Sequence, residues 1–132
     1  MKQFIGEVEL KEVDKTNWSL INDFSYENDK YLITCKSGFI TDGCSIPKPF
    51  WSIFGSPLEG DLLSSAIIHD GLYTAMTIPR DICDELLKEM LEFNGVSEER
   101  TDLIYAAVRA FGSTHWNKDS SAQINLVDIK VK

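Results

Sequence analysis

The feature that most constrains this chain is the stretch SAIIHDGLY, residues 65–73, where His69 and Asp70 interrupt an apolar run. At helical spacing, positions 62, 66, 69 and 73 form one stripe and positions 63, 67 and 70 form the adjoining one. Both stripes are otherwise apolar or aromatic, so the helix is expected to be buried. An ionised carboxylate loses its hydration when it is buried unless a partner replaces it. The pair must therefore have partners, in a structural contact or in a functional site.

The next predicted helix carries a second acid on its inward face. Its apolar stripe contains Leu87 and Leu91, and Asp84 occupies the same stripe one turn earlier. Two consecutive helices joined by about four residues usually pack antiparallel, which brings Asp84 toward His69. A carboxylate beside an imidazole fixes the tautomer of the ring and stabilises its charged form. Asp70, about 100° further around its helix, is placed to bind a divalent cation.

The residues alone leave three interpretations of this pair open. A His–Asp contact between two helices is often only a structural hydrogen bond, but it can also be catalytic, or part of a metal site without catalysis. The neighbouring candidates have ordinary interpretations as well. Asp42 precedes a glycine and suits a turn, Ser45 suits a turn hydroxyl, and Tyr73 and Tyr105 suit core rings with a bonded hydroxyl.

The whole pattern predicts a single α+β domain over residues 1–132, with an N-terminal antiparallel β-meander, a three-helix core and a C-terminal strand. The β-like segments are 4–13, 18–26, 30–35 and 39–41. The predicted helices are 61–75, 79–94 and 97–111, with Pro79 at the start of the second, Gly95 after its end and Ser97 as N-cap of the third. The last strand is 123–131, and its alternation slips near Leu126 and Val127, which indicates a bulge.

Composition and charge argue against several classes of partner. The net charge of −8 would be repelled by phosphate backbones, so no nucleic acid is expected as a partner. No stretch approaches the roughly 20 apolar residues of a membrane helix, and the N-terminus has no apolar signal core. We therefore expect no transmembrane segment and no signal peptide, and synthesis in the cytoplasm. Three cysteines without C-x-x-C spacing suit reduced, packed thiols.

Motifs of several enzyme classes are missing. There is no G-x-x-x-x-G-K-[ST] or G-x-G-x-x-G loop, so no organic cofactor is expected. A G-x-S-x-G nucleophile elbow is also absent. The phosphohydrolases named for an HD pair need a His upstream of the pair, and none precedes His69.

Several separate motifs, in one order, resemble an uncharacterised bacteriophage and prophage family known as domain of unknown function 1353. The stretches are GFITDGCSIPKPFWSIFGSP, AIIHDGLY, RDICDELLKEMLEFNGV and YAAVRAFG, and the likeness covers about residues 38–112. Cys83 stands where the family usually has Ala. The motif positions that carry over are Thr41, Asp42, Ser45, Pro47, His69, Asp70, Leu72, Tyr73, Asp84, Tyr105, Val108 and Arg109. The resemblance implies a small phage-encoded protein from a tail or lysis setting, made in the host cytoplasm, with virion or tail proteins as partners.

A second, local likeness suggests chemistry. H-D-x-x-Y on one helix, answered by an Asp on the next, resembles the catalytic helix pair of phospholipase A2 enzymes. This implies His69 as the general base, with Asp84 orienting it and Tyr73 bonding within the dyad, and Asp70 holding Ca²⁺ or another divalent cation. The glycine-rich calcium loop of those enzymes is not matched here, so Asp42 would be the second carboxylate.

Two functional hypotheses follow. The first is a cation-dependent hydrolase of lipid or cell-envelope esters that makes transient contact with lipid. The second is a non-enzymatic virion or tail-associated protein, in which the His–Asp cluster holds the helices together.

Overall fold

The structure is a computed structural model that describes residues 1–15, 17–41, 60–116 and 123–132, with only the backbone at residues 114 and 115. The N-terminal part forms six short strands. These are β1 (Gln3–Ile5), β2 (Leu10–Glu12), β3 (Trp18–Leu20), β4 (Phe24–Glu27), β5 (Tyr31–Cys35) and β6 (Ile40–Thr41).

Helices and one last strand follow. They are α1 (Gly60–Ala75), α2 (Arg80–Phe93), α3 (Glu98–Phe111), the single turn α4 (Ser113–Trp116) and β7 (Val127–Val131). Antiparallel sheets, three long helices and a C-terminal strand confirm the predicted α+β class. None of the helices in the described ranges is long and apolar enough to cross a membrane.

The ends of the long helices follow the local signals of the sequence. Pro79 directly precedes α2, and Gly95 just after its end has a φ of +81°, a conformation that glycine adopts without strain. The Ser97 hydroxyl accepts a hydrogen bond from the Arg100 backbone N–H at 3.2 Å and so caps α3. The predicted boundaries of these helices are therefore confirmed to within one or two residues.

The strands divide between two antiparallel sheets rather than forming one meander. One sheet has the order β1-β4-β5-β7 and the other has the order β2-β3-β6. The chain bends between β3 and β4, where Ser37 Oγ donates to the Ile21 carbonyl at 2.7 Å and its backbone N–H donates to Asp23 Oδ1 at 2.8 Å. This bend sends two consecutive strands into different sheets.

The C-terminal segment departs from the prediction at its beginning. A 3₁₀ turn spans Ile124–Leu126, and β7 then pairs with β5 in a regular register from Val127 opposite Cys35 to Val131 opposite Tyr31. The slip in alternation thus marks a 3₁₀ turn, and the predicted bulge is wrong.

Helix α1 is buried along most of its length because the four-stranded sheet and the other helices cover different faces of it. Ile67, Ile68 and Leu72 join the core against the sheet, whereas Leu62 and Ala66 pack with residues of α2 and α3. Full burial of one such aliphatic side chain contributes about 1.5–3 kcal/mol. Helix α1 is therefore apolar on nearly all sides because it packs on the sheet with one face and on α2 and α3 with another.

The closest approach of α1 to the sheet occurs at Gly71. A Cβ atom at this position would overlap Cys35 Sγ and lie 3.7 Å from Val127 Cγ1. The Cys35 thiol is itself fully buried and donates to the Ile67 carbonyl at 3.7 Å. The absence of a side chain at Gly71 therefore sets the distance between helix and sheet.

We expect Gly71→Ala to lower the free energy of unfolding by about 1–3 kcal/mol, since the added methyl group has no space. Gly60→Ala is the matched control, because a Cβ there meets no atom within 4 Å. Chemical denaturation of both variants measures the difference. Adding Cys35→Ala should restore part of the loss, and equal stability of the two glycine variants would contradict the packing argument.

Candidate functional site

The carboxylate of Asp84 is the centre of a polar cluster between the three long helices. Its side chain is 0% exposed and receives hydrogen bonds on both oxygens. On Oδ1 it accepts from His69 Nε2 at 2.8 Å and from the Tyr73 hydroxyl at 2.6 Å. On Oδ2 it accepts from Arg109 Nη1 at 2.8 Å. The structure thus brings together His69, Tyr73 and Asp84, the three residues predicted to act in catalysis.

Arg80 is a member of the cluster that the sequence analysis missed. Its Nη1 lies 3.9 Å from Asp84 Oδ2 and 3.5 Å from the Tyr73 hydroxyl. The same guanidinium donates to the carbonyls of Val108 at 3.2 Å and Arg109 at 3.3 Å, in the last turn of α3. The i,i+4 spacing of Arg80 and Asp84 on one helix was the available signal.

Among the described residues, only one ring nitrogen of His69 has a hydrogen-bond partner. Nε2 faces Asp84, whereas Nδ1 is buried and has no partner within the described part of the chain. A buried polar atom without a partner costs about 1–3 kcal/mol, so such atoms are rare in folded proteins. A purely structural role for the cluster therefore does not explain why Nδ1 is buried without a partner in the described part of the chain.

The surrounding donors keep Asp84 ionised. Desolvation alone would raise the pKa of its carboxyl, but the hydrogen bonds from His69, Tyr73 and Arg109 lower the pKa below its ordinary value. Burial, followed by the bond to Asp84, raises the pKa of the Tyr73 hydroxyl. The bond to Asp84 raises the pKa of the Arg109 guanidinium. Tyr73 is thus a neutral donor and Asp84 an anionic acceptor.

Two aromatic contacts and a glycine hold Tyr73 in place. The rings of Tyr73 and His69 have centroids 4.4 Å apart, and the Trp116 ring meets Tyr73 edge-on at 5.2 Å. At Gly112 a Cβ would come within 2.7 Å of the Tyr73 hydroxyl. Neither Trp116 nor Gly112 was predicted to belong to this cluster.

The other candidate residues lie elsewhere. Asp70 is partly buried on α1, and its charge, after desolvation, contributes to the raised pKa of the buried Cys35 thiol. Thr41 is buried at the end of β6. Tyr105 is on α3, where its ring centroid is 5.5 Å from Lys88 Nζ. Asp42 and Ser45 lie outside the described residues.

Of the two carboxylates predicted to hold a cation, Asp70 lies in the described part of the chain and Asp42 lies outside it. Across residues 1–15, 17–41, 60–116 and 123–132, no three His, Cys, Asp or Glu side chains gather as a metal site would require. The cation therefore stays a prediction.

We expect Asp84→Asn to lower the free energy of unfolding by about 1–3 kcal/mol at neutral pH, because it leaves buried donors without an anionic acceptor. The pKa of Asp84 is lower in the folded state, so its stabilisation is present above the unfolded pKa of about 3.9 and is lost as the pH falls toward the folded pKa. The gap between the natural protein and Asp84→Asn should therefore narrow below about pH 4.

Urea denaturation between neutral and acidic pH measures this gap. Asp61→Asn is the control, since Asp61 pairs with Arg100 at the surface and should show a much smaller change. A gap that stays constant down to the acid limit would contradict an ionised Asp84 in the folded protein.

Comparison with known proteins places this chain in a family. The family described as "Protein of unknown function (DUF1353)" matches residues 18–108, which include His69, Tyr73, Arg80 and Asp84 and end one residue before Arg109. The match starts earlier than the predicted likeness over 38–112 and includes the strands β3 to β6.

One relative is the protein with the printed name "Uncharacterized protein y4jT" of Sinorhizobium fredii (strain NBRC 101917 / NGR234). It is 35% identical over 98 residues, which make up 72% of this chain and 29% of the relative, so this chain corresponds to less than a third of that protein. No solved structure matches the chain. On the family match and this identity, the chain belongs to the family "Protein of unknown function (DUF1353)".

Proposed function

We propose that this protein is a hydrolase of lipid or cell-envelope esters, in which His69 is the general base. The proposal rests on the hydrogen bonding of the two nitrogens of the His69 imidazole. One nitrogen bonds to a buried carboxylate, and the other is buried without a partner among the described residues. The local resemblance of the helix pair to phospholipase A2 enzymes supports esters as the substrate class.

The hydrogen bond to Asp84 determines which nitrogen can act as a base. An ionised carboxylate only accepts, so His69 Nε2, 2.8 Å from Asp84 Oδ1, carries the proton of that bond. The lone pair of the neutral ring is then on Nδ1. This is the arrangement of a general base whose tautomer is set by a buried acid.

The reaction needs only groups of this chain, a water molecule and the ester. Nδ1 takes a proton from water while the water oxygen forms a bond to the carbonyl carbon, whose π electrons move to the carbonyl oxygen. When the tetrahedral intermediate collapses, the bond to the alcohol oxygen breaks and His69 returns the proton to that oxygen. Ester and water become acid and alcohol.

Asp84 and Tyr73 act as positioning residues in this scheme. Asp84 stabilises the imidazolium that forms when Nδ1 takes up a proton, and Tyr73 holds Asp84 Oδ1 at 2.6 Å. The His69 side chain is 0% exposed. Water and substrate must therefore reach Nδ1 through a local movement.

We also propose that the protein binds a divalent cation, with Ca²⁺ as the first candidate. Asp70 and Asp42 would be the carboxylates that hold it. Asp70 directly follows the proposed base on α1 and is only partly buried. When bound, the cation would polarise the ester carbonyl. No step of the chemistry above depends on it.

The second candidate is a non-enzymatic virion or tail-associated protein, and the burial of the cluster favours it. His69 and Asp84 are both 0% exposed, and their partners come from α1, α2 and α3. Such a cluster would join the helices whether or not Nδ1 ever receives a proton.

We expect the natural protein to hydrolyse p-nitrophenyl butyrate or phosphatidylglycerol vesicles, and His69→Gln to lower the rate by a factor of about 10² or more. The Gln amide can still donate to Asp84, but it offers no base. Ser65→Ala is the control, since Ser65 is buried on the same helix and its hydroxyl donates to the Leu62 carbonyl of that helix. Equal rates for His69→Gln and the natural protein, or no hydrolysis by either, would favour the structural candidate.

The cation is tested separately by thermal unfolding in Ca²⁺, Mg²⁺, Mn²⁺ or Zn²⁺. A cation at 100 times its dissociation constant adds about 2.7 kcal/mol of stability, which gives a clear rise in Tm. The rise should vanish in Asp70→Asn and persist in Asp81→Asn, a change at an exposed acid. No rise with any cation, or the same rise in Asp70→Asn, argues against the cation.

A further inference from the structure

We propose that Arg109, with Arg80 behind it, binds a phosphate group at the partly exposed side of the Asp84 cluster. The binding itself is independent of catalysis. What this binding implies for the substrate rests on the proposed function. It narrows the substrate class of the proposed hydrolase to esters that carry a phosphate group.

The arginine charges around Asp84 exceed the charge of its single carboxylate. Two of the three arginines of the chain converge on the single carboxylate of Asp84, with Nη1 atoms of Arg109 and Arg80 at 2.8 Å and 3.9 Å from Oδ2. Within the described ranges, neither arginine forms an ion pair with another acid. One positive charge is thus left over, in a chain whose net charge is −8. An anion is the ligand that would balance it.

Arg109 also has hydrogen-bond donors that Asp84 does not use. A guanidinium carries five N–H groups in a planar fork. Arg109 uses Nη1 on Asp84 and makes no further hydrogen bond to the part of the chain that the structure describes, while 34% of its side chain is exposed. A guanidinium edge of this kind matches the oxygens of a phosphate, which it binds in a bidentate manner.

Arg80 has a different task. Its Nη1 and Nη2 are committed to the carbonyls of Val108 and Arg109, and 21% of its side chain is exposed. It therefore adds positive charge behind the site and holds the end of α3, from which Arg109 projects. Arg109 is the residue with donors to offer.

Gly112 provides the space that this arrangement needs. Its φ of −70° and ψ of −15° are open to any residue, so backbone freedom does not explain the glycine. A Cβ there would instead lie 2.5 Å from the Val108 carbonyl oxygen, 2.7 Å from the Tyr73 hydroxyl and 3.2 Å from Arg80 Nη1. The missing side chain leaves room for the Val108 carbonyl and the Tyr73 hydroxyl, both of which lie next to Arg80.

The position of Arg109 relates the site to the proposed base. His69 binds Oδ1 of the carboxylate whose Oδ2 binds Arg109. A phosphate held by the free edge of Arg109 would therefore bring the rest of its molecule beside the His–Asp pair.

The test uses the three arginine side chains as separate reporters in the natural, ¹⁵N-labelled protein. Their Nε–Hε resonances are assigned by Arg→Lys substitution at each position and followed during a titration with inorganic phosphate, against sodium chloride of equal ionic strength. We expect a saturable shift of the Arg109 resonance. Arg100, paired with Asp61 at 3.1 Å, is the internal control and should respond as it does to chloride.

A second variant keeps the test independent of folding defects. Arg109→Lys retains a cation for Asp84 but loses the planar fork. It should abolish the smaller phosphate-dependent shift expected at Arg80. A saturable Arg80 shift that survives in Arg109→Lys, the absence of a saturable Arg109 shift, or equal shifts at Arg100 and Arg109 would each overturn the proposal.

Two more ligands identify the source of the phosphate. Glycerol phosphate and the diether analogue of dihexanoyl phosphatidylglycerol are titrated in the same way, since neither has an ester bond to a fatty acid. Shifts with both support a site for any phosphate, and a markedly stronger response to the diether supports a lipid headgroup. Arg109 shifts without ester hydrolysis would overturn only the proposed function, whereas hydrolysis without Arg109 shifts would overturn only the phosphate site.

Discussion

The structure depends most on one buried anion. The carboxylate of Asp84 accepts hydrogen bonds from side chains of α1 and α3, and it lies near Arg80 on its own helix. Such a group is costly to bury, and it is stable here because charged and neutral donors replace its hydration. These bonds join α1 and α3 to α2 inside an apolar core, and they fix which edge of the His69 ring faces the carboxylate.

The same carboxylate divides the cluster into two sides with different chemistry. Oδ1 is bonded to the fully buried His69 and to Tyr73, and Oδ2 is bonded to Arg109, which is partly exposed. The first side is closed to solvent, where electrostatic interactions are strong. The other side is suited to contact with charged molecules from solution. A catalytic role and a structural role use the same bonds.

Local patterns predicted the helices and the inward position of Asp84, because periodicity and capping signals are contained within each segment. The surroundings of Asp84 depend on how segments pack, so Trp116, whose ring meets that of Tyr73, was missed. Arg80 was missed although its spacing from Asp84 was visible. Alternation likewise shows which side chains share a face of a strand, but not which strand lies beside it. The division of β3 and β4 between two sheets therefore appeared only in the structure. That Nδ1 of His69 has no partner in the described part of the chain is likewise a three-dimensional property, which no sequence pattern reports.

The close contact between Gly71 and Cys35 has a consequence for how this part of the protein opens. The Cys35 thiol lies under α1 and is fully buried, and burial raises its pKa, so the reactive thiolate is scarce as well as covered. A thiol reagent can modify Cys35 only when α1 separates from the sheet. The rate of that modification therefore measures how often the helix leaves the sheet, which makes this cysteine a natural reporter of local unfolding.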